Sequence, residues 1–275
     1  MPSSTIILEP GRSEKHYWRD LWNYRELFHV LAARDIAVRY KQTVIGILWA
    51  VIRPVLTMVV FTVVFGKLAK LPSEGAAPYA LMVFAGLLPW QFFSTALSES
   101  SNSLISNANL ISKVYFPRII VPTATVIVAF IDLAISFLIL VAMMAYYQFL
   151  PSWQILLLPV FVVIGFAASL GPGLWITALN VKYRDFRYVI PFLIQFGLYL
   201  SPVGFSSSVV PEKWQLLYYL NPMVGVIDGF RWCILGAEAA MDWRSVAISL
   251  VVTSLLLIFG IRQFRKMERS FADLI

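Results

Sequence analysis

The sequence predicts an all-α polytopic membrane protein with six transmembrane helices and both ends on the cytoplasmic side. Three observations carry that prediction. Of the 275 residues 59% are hydrophobic and only 13% are charged, with a mean hydropathy of +0.76. A soluble domain carries about twice that share of charge. Apolar runs near residues 44–66, 78–97, 119–147, 153–179, 189–205 and 245–264 are separated by short polar stretches. Most are long enough to cross a hydrocarbon layer about 30 Å thick. Finally, Lys and Arg alternate between the connecting segments. With the N-terminus inside, sixteen fall on inner segments and five (Lys67, Lys70, Lys213, Arg231 and Arg244) on outer ones, and positive charge marks the cytoplasmic side.

The net charge of +7 is therefore topological. It is spread over four inner segments and does not point to nucleic acid. The single cysteine, Cys233, excludes an internal disulfide and a cysteine metal cluster. His16 and His29 both lie in the polar N-terminal region, so no histidine cluster is expected inside the membrane. No cleavable signal peptide is expected, because the first apolar run begins late and is long.

In chain order, residues 1–16 read as a polar tail. Residues 17–43 read as an interfacial amphipathic helix, with Trp18, Leu21, Tyr24, Phe28 and Leu31 on one face; packing on a soluble partner is the alternative. The first span carries Arg53-Pro54. Arg53 faces a cavity or, if the membrane boundary lies near Trp49, extends its head towards the lipid headgroups. Pro89-Trp90 lies in the second span. Residues 98–118 are rich in Ser and Asn, with an apolar edge of Leu104, Ile105, Ala108, Leu110 and Ile111, and predict a short helix ended by Phe116-Pro117. The third span holds Asp132 near mid-depth, a functional candidate whose alternative is an aspartic acid hydrogen-bonded between helices. Gly165 and Gly171-Pro172-Gly173 predict a bent fourth span with close backbone contacts. The fifth span is short, the sixth follows, and residues 265–275 form a cytoplasmic tail.

Between the last two spans, residues 206–243 are too apolar for an ordinary loop and too broken to cross a bilayer. Pro211 opens one run and Asn221-Pro222 starts another that ends near Leu235. As helices they reach roughly 15 and 20 Å. A re-entrant pair over residues 211–236, on the outer face, is one reading. An amphipathic pair lying flat on the surface is the other.

No G-x-x-x-x-G-K-[ST] occurs, so the chain is not expected to hydrolyse ATP. No H-E-x-x-H, G-x-S-x-G or carboxylate pair marks a membrane boundary, which disfavours a membrane-bound transferase. The near absence of acidic residues within spans disfavours ion-coupled transport.

Several motifs in order resemble the type-2 ABC exporter permeases, in the branch for polysaccharide and polyol-phosphate export (O antigen, capsule, teichoic acid). They are Tyr40-Lys41-Gln42-Thr43 with Gly46, Trp49 and Pro54; Phe116-Pro117-Arg118 with Pro122; Asn180-Val181-Lys182-Tyr183-Arg184-Asp185; Ser201-Pro202-Val203; and Asn221-Pro222 with Arg231 downstream. The resemblance covers about residues 17–265. It implies a bacterial inner-membrane channel subunit that works as a homodimer with two copies of a separate ATPase. ATP and magnesium would bind that partner, with no cofactor in this chain. The implied substrate is a lipid-linked polysaccharide moved from cytoplasm to periplasm, amid membrane lipids. A type-2 exporter of a drug or small lipid is the alternative.

The resemblance further implies that the helix between the second and third spans couples to the ATPase. Here that is Ser101 to Lys113, with Ser101, Leu104, Ile105, Ala108, Leu110, Ile111 and Lys113 as contact candidates. The outer re-entrant pair would gate the exit, with Asn221, Pro222, Asp228 and Arg231 as candidates. Arg53 and Lys41 are candidates for receiving a lipid pyrophosphate. Trp90, Tyr199, Trp214, Tyr218, Tyr219 and Trp232 are candidates for stacking on sugars in the conduit, or else belong to the interfacial aromatic belt.

Overall fold

The structure, a computed structural model, describes residues 17–40, 44–183, 185–236, 239, 241–268 and 271. It is all-helical over those residues. Helices α1 (Tyr17–Asn23) and α2 (Arg25–Tyr40) precede α3 (Val44–Phe61), which continues as a π-helical stretch over Thr62–Leu68. Then come α4 (Tyr79–Ser106), α5 (Ala108–Lys113), α6 (Ile120–Tyr146), α7 (Leu158–Lys182) and α8 (Phe186–Leu200). Two short helices, α9 (Glu212–Tyr218) and α10 (Pro222–Leu235), lead to α11 (Trp243–Glu268).

Among the described residues five stretches are long and apolar enough to cross a membrane: Leu48–Leu68, Tyr79–Ser106, Ile120–Tyr146, Trp153–Lys182 and Trp243–Glu268. The expected fifth span corresponds to α8, whose 15 residues reach only about 22 Å.

Helix α4 is the spine. It packs along α6 and α7 and also meets α3, α8 and α10. Its first turns, from Leu81 to Leu88, are almost wholly buried. Helices α7 and α11 approach closely because Gly171 and Gly260 face each other. A Cβ built on Gly260 would lie 2.0 Å from the Gly171 carbonyl oxygen. Small residues allow this backbone contact, which inside a bilayer substitutes for a hydrophobic driving force.

Two apolar clusters occupy opposite ends. One gathers Leu104, Ile111, Phe116, Ile120, Leu174 and Phe264 with Tyr17 and Leu31 of the N-terminal helices. The basic segments ending in Lys113, Arg118, Lys182 and Lys266 therefore meet at this end. The other cluster joins Leu81–Leu88 to Leu140, Met144, Phe161 and the buried face of α10.

The expected short helix between the second and third spans is shorter than the sequence suggested. Helix α4 runs on through Ser106, so Ser101, Leu104 and Ile105 belong to it, and only Ala108–Lys113 forms the separate helix. Its polar residues satisfy themselves locally. Ser103 donates to the Ser100 carbonyl at 2.7 Å and Asn102 to the Ser98 carbonyl at 3.0 Å. Helix α7 adds Asn180, donating to the Ser101 carbonyl at 2.9 Å.

Candidate functional site

A cavity of about 640 Å³ opens into the helical body between α3, α4, α6 and α8. On α4 its lining runs from Leu87 to Glu99, roughly 18 Å of helix at 1.5 Å per residue. Glu99 lies towards the basic end of the molecule. The lining is hydrophilic for the interior of a membrane domain. Gln91, Ser94, Thr95 and Ser98 come from α4, Ser136 from α6 and Gln195 from α8. Trp49 and Trp90 supply aromatic surfaces.

Four charged side chains join them: Arg39, Arg53, Glu99 and Asp132. Arg39, at the end of α2, reaches Asp132 at 2.7 Å and Glu99 at 3.6 Å. The Tyr40 hydroxyl also donates to Asp132. The sequence offered Asp132 no cation at a matching depth, because Arg39 lies on a helix expected at the interface. Helix α2 packs against α6 and carries Arg39 inward to it. Arg53 stands in the same cavity, its side chain exposed and its backbone carbonyl capped by Thr57 at 2.8 Å. Lys41 lies outside the described residues.

A second pocket, of about 660 Å³, lies on the other side of α8. The split follows helical spacing: Pro191, Gln195 and Leu198 face the hydrophilic cavity, while Leu193, Gly197 and Leu200 face the second pocket. Trp90 borders both, its ring against Gly197, where an added Cβ would sit 2.8 Å from it. This pocket is apolar.

The six candidate aromatics therefore separate. Trp90 alone lines the hydrophilic cavity, and Trp214 and Tyr218 line the apolar pocket. Tyr199, Tyr219 and Trp232 line neither. Tyr199 is exposed and stacks on Phe61 with centroids 6.3 Å apart. Tyr219 is buried and donates to Asp242 at 3.0 Å. Trp232 packs edge-on to Trp153 and Trp243. Trp49, which the sequence marked as a boundary residue and a motif position but not as a conduit aromatic, is on the cavity wall.

Around α9 and α10, Asn221 caps α10, accepting from the Met223 amide at 3.0 Å, and Pro222 takes the first helical position. Asn221 also donates to Ser201 at 2.9 Å, fixing α10 to the end of α8. Arg231 is not a surface charge of the outer face, as its place in the charge tally assumed. It is wholly buried and donates to the Val203 and Phe205 carbonyls, each at 2.8 Å, and to the Met82 carbonyl at 3.3 Å. Its ion partner is Glu74, at 3.3 Å. Asp228 is also buried, and burial pushes its carboxyl up to about 7 despite the opposing pull of Arg231 and Ser207.

At the basic end, the contact candidates divide by exposure. Ser101, Leu104 and Ile111 are buried and hold the turn in place, while Ile105 and Lys113 are exposed. Val114 and Tyr115, unremarked in the sequence, are exposed beside them. Arg34 of α2 donates to Asn107, at the α4–α5 junction, at 2.8 Å.

Residues 26–235 match the family model described as "ABC-2 type transporter". The chain belongs to the ABC-2 type transporter family. Its relatives include the O-antigen export system permease protein RfbA of Myxococcus xanthus, 28% identical over 261 residues, covering 94% of this chain and 98% of that one. The protein of the same name from Klebsiella pneumoniae is 26% identical over 254 residues, covering 91% and 95%. The inner membrane transport permease YadH of Escherichia coli (strain K12) is 26% identical over 195 residues, covering 66% and 74%. As an ABC-2 permease the chain is a multi-pass membrane protein, and three of its apolar spans line the hydrophilic cavity together with α8.

Proposed function

We propose that this ABC-2 permease is the channel-forming subunit of an ATP-driven exporter in the bacterial inner membrane, moving a lipid-linked polysaccharide from cytoplasm to periplasm. The observation that carries the proposal is the hydrophilic cavity. Hydroxyls and amides of Gln91, Ser94, Thr95, Ser98, Ser136 and Gln195 face a space bounded by Trp49 and Trp90. That lining offers hydrogen bonds to many hydroxyls and flat faces for sugar rings, which suits a polyhydroxylated chain. Arg53 supplies positive charge for a lipid pyrophosphate, with Arg39 held by Asp132 and Glu99.

The cavity is only partly enclosed, and α3 and α8, which both line it, carry apolar residues exposed on their other faces. A polar space open to lipid is unfavourable, which supports closure by a second copy, giving a homodimer with six spans per subunit and both ends in the cytoplasm. Two ATPase subunits, carrying ATP and magnesium, would press on Ile105, Lys113, Val114 and Tyr115. Their closure would part the two half-channels, and α9 and α10 would cover the outer exit.

Deletion tests the reading. Lipid-linked polymer should accumulate inside the cell, and Arg53→Ala should lower the export rate. Export at the wild-type rate in Arg53→Ala removes Arg53 as the receiving group. The apolar pocket favours a second reading, a drug or small-lipid exporter. On that reading deletion leaves the polymer on the surface and changes drug tolerance or lipid distribution instead.

A further inference from the structure

The Arg231–Glu74 and Arg39–Asp132 pairs differ in what their separation would strand. Arg231 and Glu74 are both buried, so parting them leaves a charge without water. Arg39 and Asp132 are half-buried and Glu99 is exposed, so water reaches all three. Asp132 also keeps the Tyr40 hydroxyl when Arg39 leaves. An ion pair this open to solvent contributes little net stability, while a guanidinium gains strong paired hydrogen bonds from a phosphate. Arg39 and Arg53 both line the hydrophilic cavity, as do the two carboxylates. Arg53 makes no ion pair among the described residues. An entering anion therefore meets one open guanidinium and one already held by carboxylates.

We propose that Arg39 is a second anion-binding group of this cavity, held by Asp132 and Glu99 while the cavity is empty and transferred to the pyrophosphate head of the substrate when it enters. The proposal rests on the export reading and adds a residue to its receiving site. A pyrophosphate carries more negative charge than one guanidinium neutralises, so Arg53 alone leaves it incompletely paired. Asp132 and Glu99 compete with the head for Arg39. That competition keeps binding weak enough for release as the substrate moves on, and the carboxylates then take Arg39 back.

Binding of hexyl pyrophosphate to the full chain in phosphatidylcholine nanodiscs tests this, measured by equilibrium dialysis against protein-free nanodiscs. Arg39→Ala should weaken binding about tenfold, the loss of one charge-assisted contact. Asp132→Asn keeps the shape of the side chain and should tighten binding about threefold, because Arg39 is released. In Arg39→Ala/Asp132→Asn that tightening should vanish relative to Arg39→Ala alone. Where Arg39→Ala elutes abnormally, Arg39→Gln replaces it. A purely structural pair makes both single substitutions weaken binding or leaves it unchanged, and either result overturns the proposal. Tightening that persists in the double variant also overturns it, by assigning the effect to the general loss of negative charge. So does absence of binding to the wild-type chain. Weakening by Arg53→Ala with no effect of Arg39→Ala overturns the proposal while the export reading stands. The expected pattern together with normal polymer export in a deletion strain upholds the anion site while the export reading falls.

Discussion

Arg39 and Asp132 come from helices far apart in the chain, and neither announces the other. Asp132 is 19% exposed and Arg39 35%, so the pair is neither buried nor freely solvated. Removing either side should cost more than removing both. Thermal unfolding of Arg39→Ala, Asp132→Ala and the double variant in detergent should give a coupling of about 1 kcal/mol, and strict additivity would refute the pairing. The Arg231–Glu74 pair is a different case because both partners are buried. Glu74→Ala strands a buried guanidinium, which typically costs about 3–5 kcal/mol. Three backbone carbonyls still accept from Arg231, placing the expected loss near the lower end.

Asp228 gives a pH signature. Its carboxyl is raised from 3.8 to about 7 by burial, so the folded state favours the protonated form. That contribution is full below the unfolded value and is lost as pH rises through the folded one. Stability should therefore fall between about pH 4 and pH 7, and Asp228→Asn should flatten that slope. An unchanged slope in Asp228→Asn would assign it to another group.

At the scale of elements, the contact of α7 with α11 turns on two glycines. Gly260→Leu would drive a side chain into the Gly171 carbonyl, and the helices must separate. Expression of the folded protein should fall sharply, while Gly165→Ala, whose nearest neighbour lies at 3.5 Å, should be tolerated. Equal behaviour of the two variants would contradict the close packing. That contact was legible in the sequence, where Gly171-Pro172-Gly173 signalled it. The end of α4 was not. Ser and Asn over residues 98–106 compete with backbone bonding and so read as a break, yet here they bond back onto the helix while Thr177 and Asn180 of α7 complete the arrangement. The tail was also underread. Phe271 is buried against Phe264, and Glu268 accepts from the Arg118 amide at 2.7 Å and from the Tyr17 hydroxyl at 3.1 Å. A single charged stretch after a span carries no sign of partners contributed by distant elements.

For the whole molecule, hydropathy was enough to recover the five long apolar spans, and the ordered motifs pointed to the family. The conduit they implied could not be placed, because its position depends on which faces of α3, α4, α6 and α8 turn towards one another. Arg53 and Trp90 were identified singly, and only packing brings them to one wall. Blocking that space tests the account most directly. Cys233 is the only cysteine and is buried, so Cys233→Ala gives a cysteine-free background. Gln195→Cys then places one thiol in the cavity. Export of lipid-linked polysaccharide by this variant should stop when a bulky membrane-permeant thiol reagent is added, and the cysteine-free parent should be unaffected. Undiminished export after complete modification at position 195 would contradict the account.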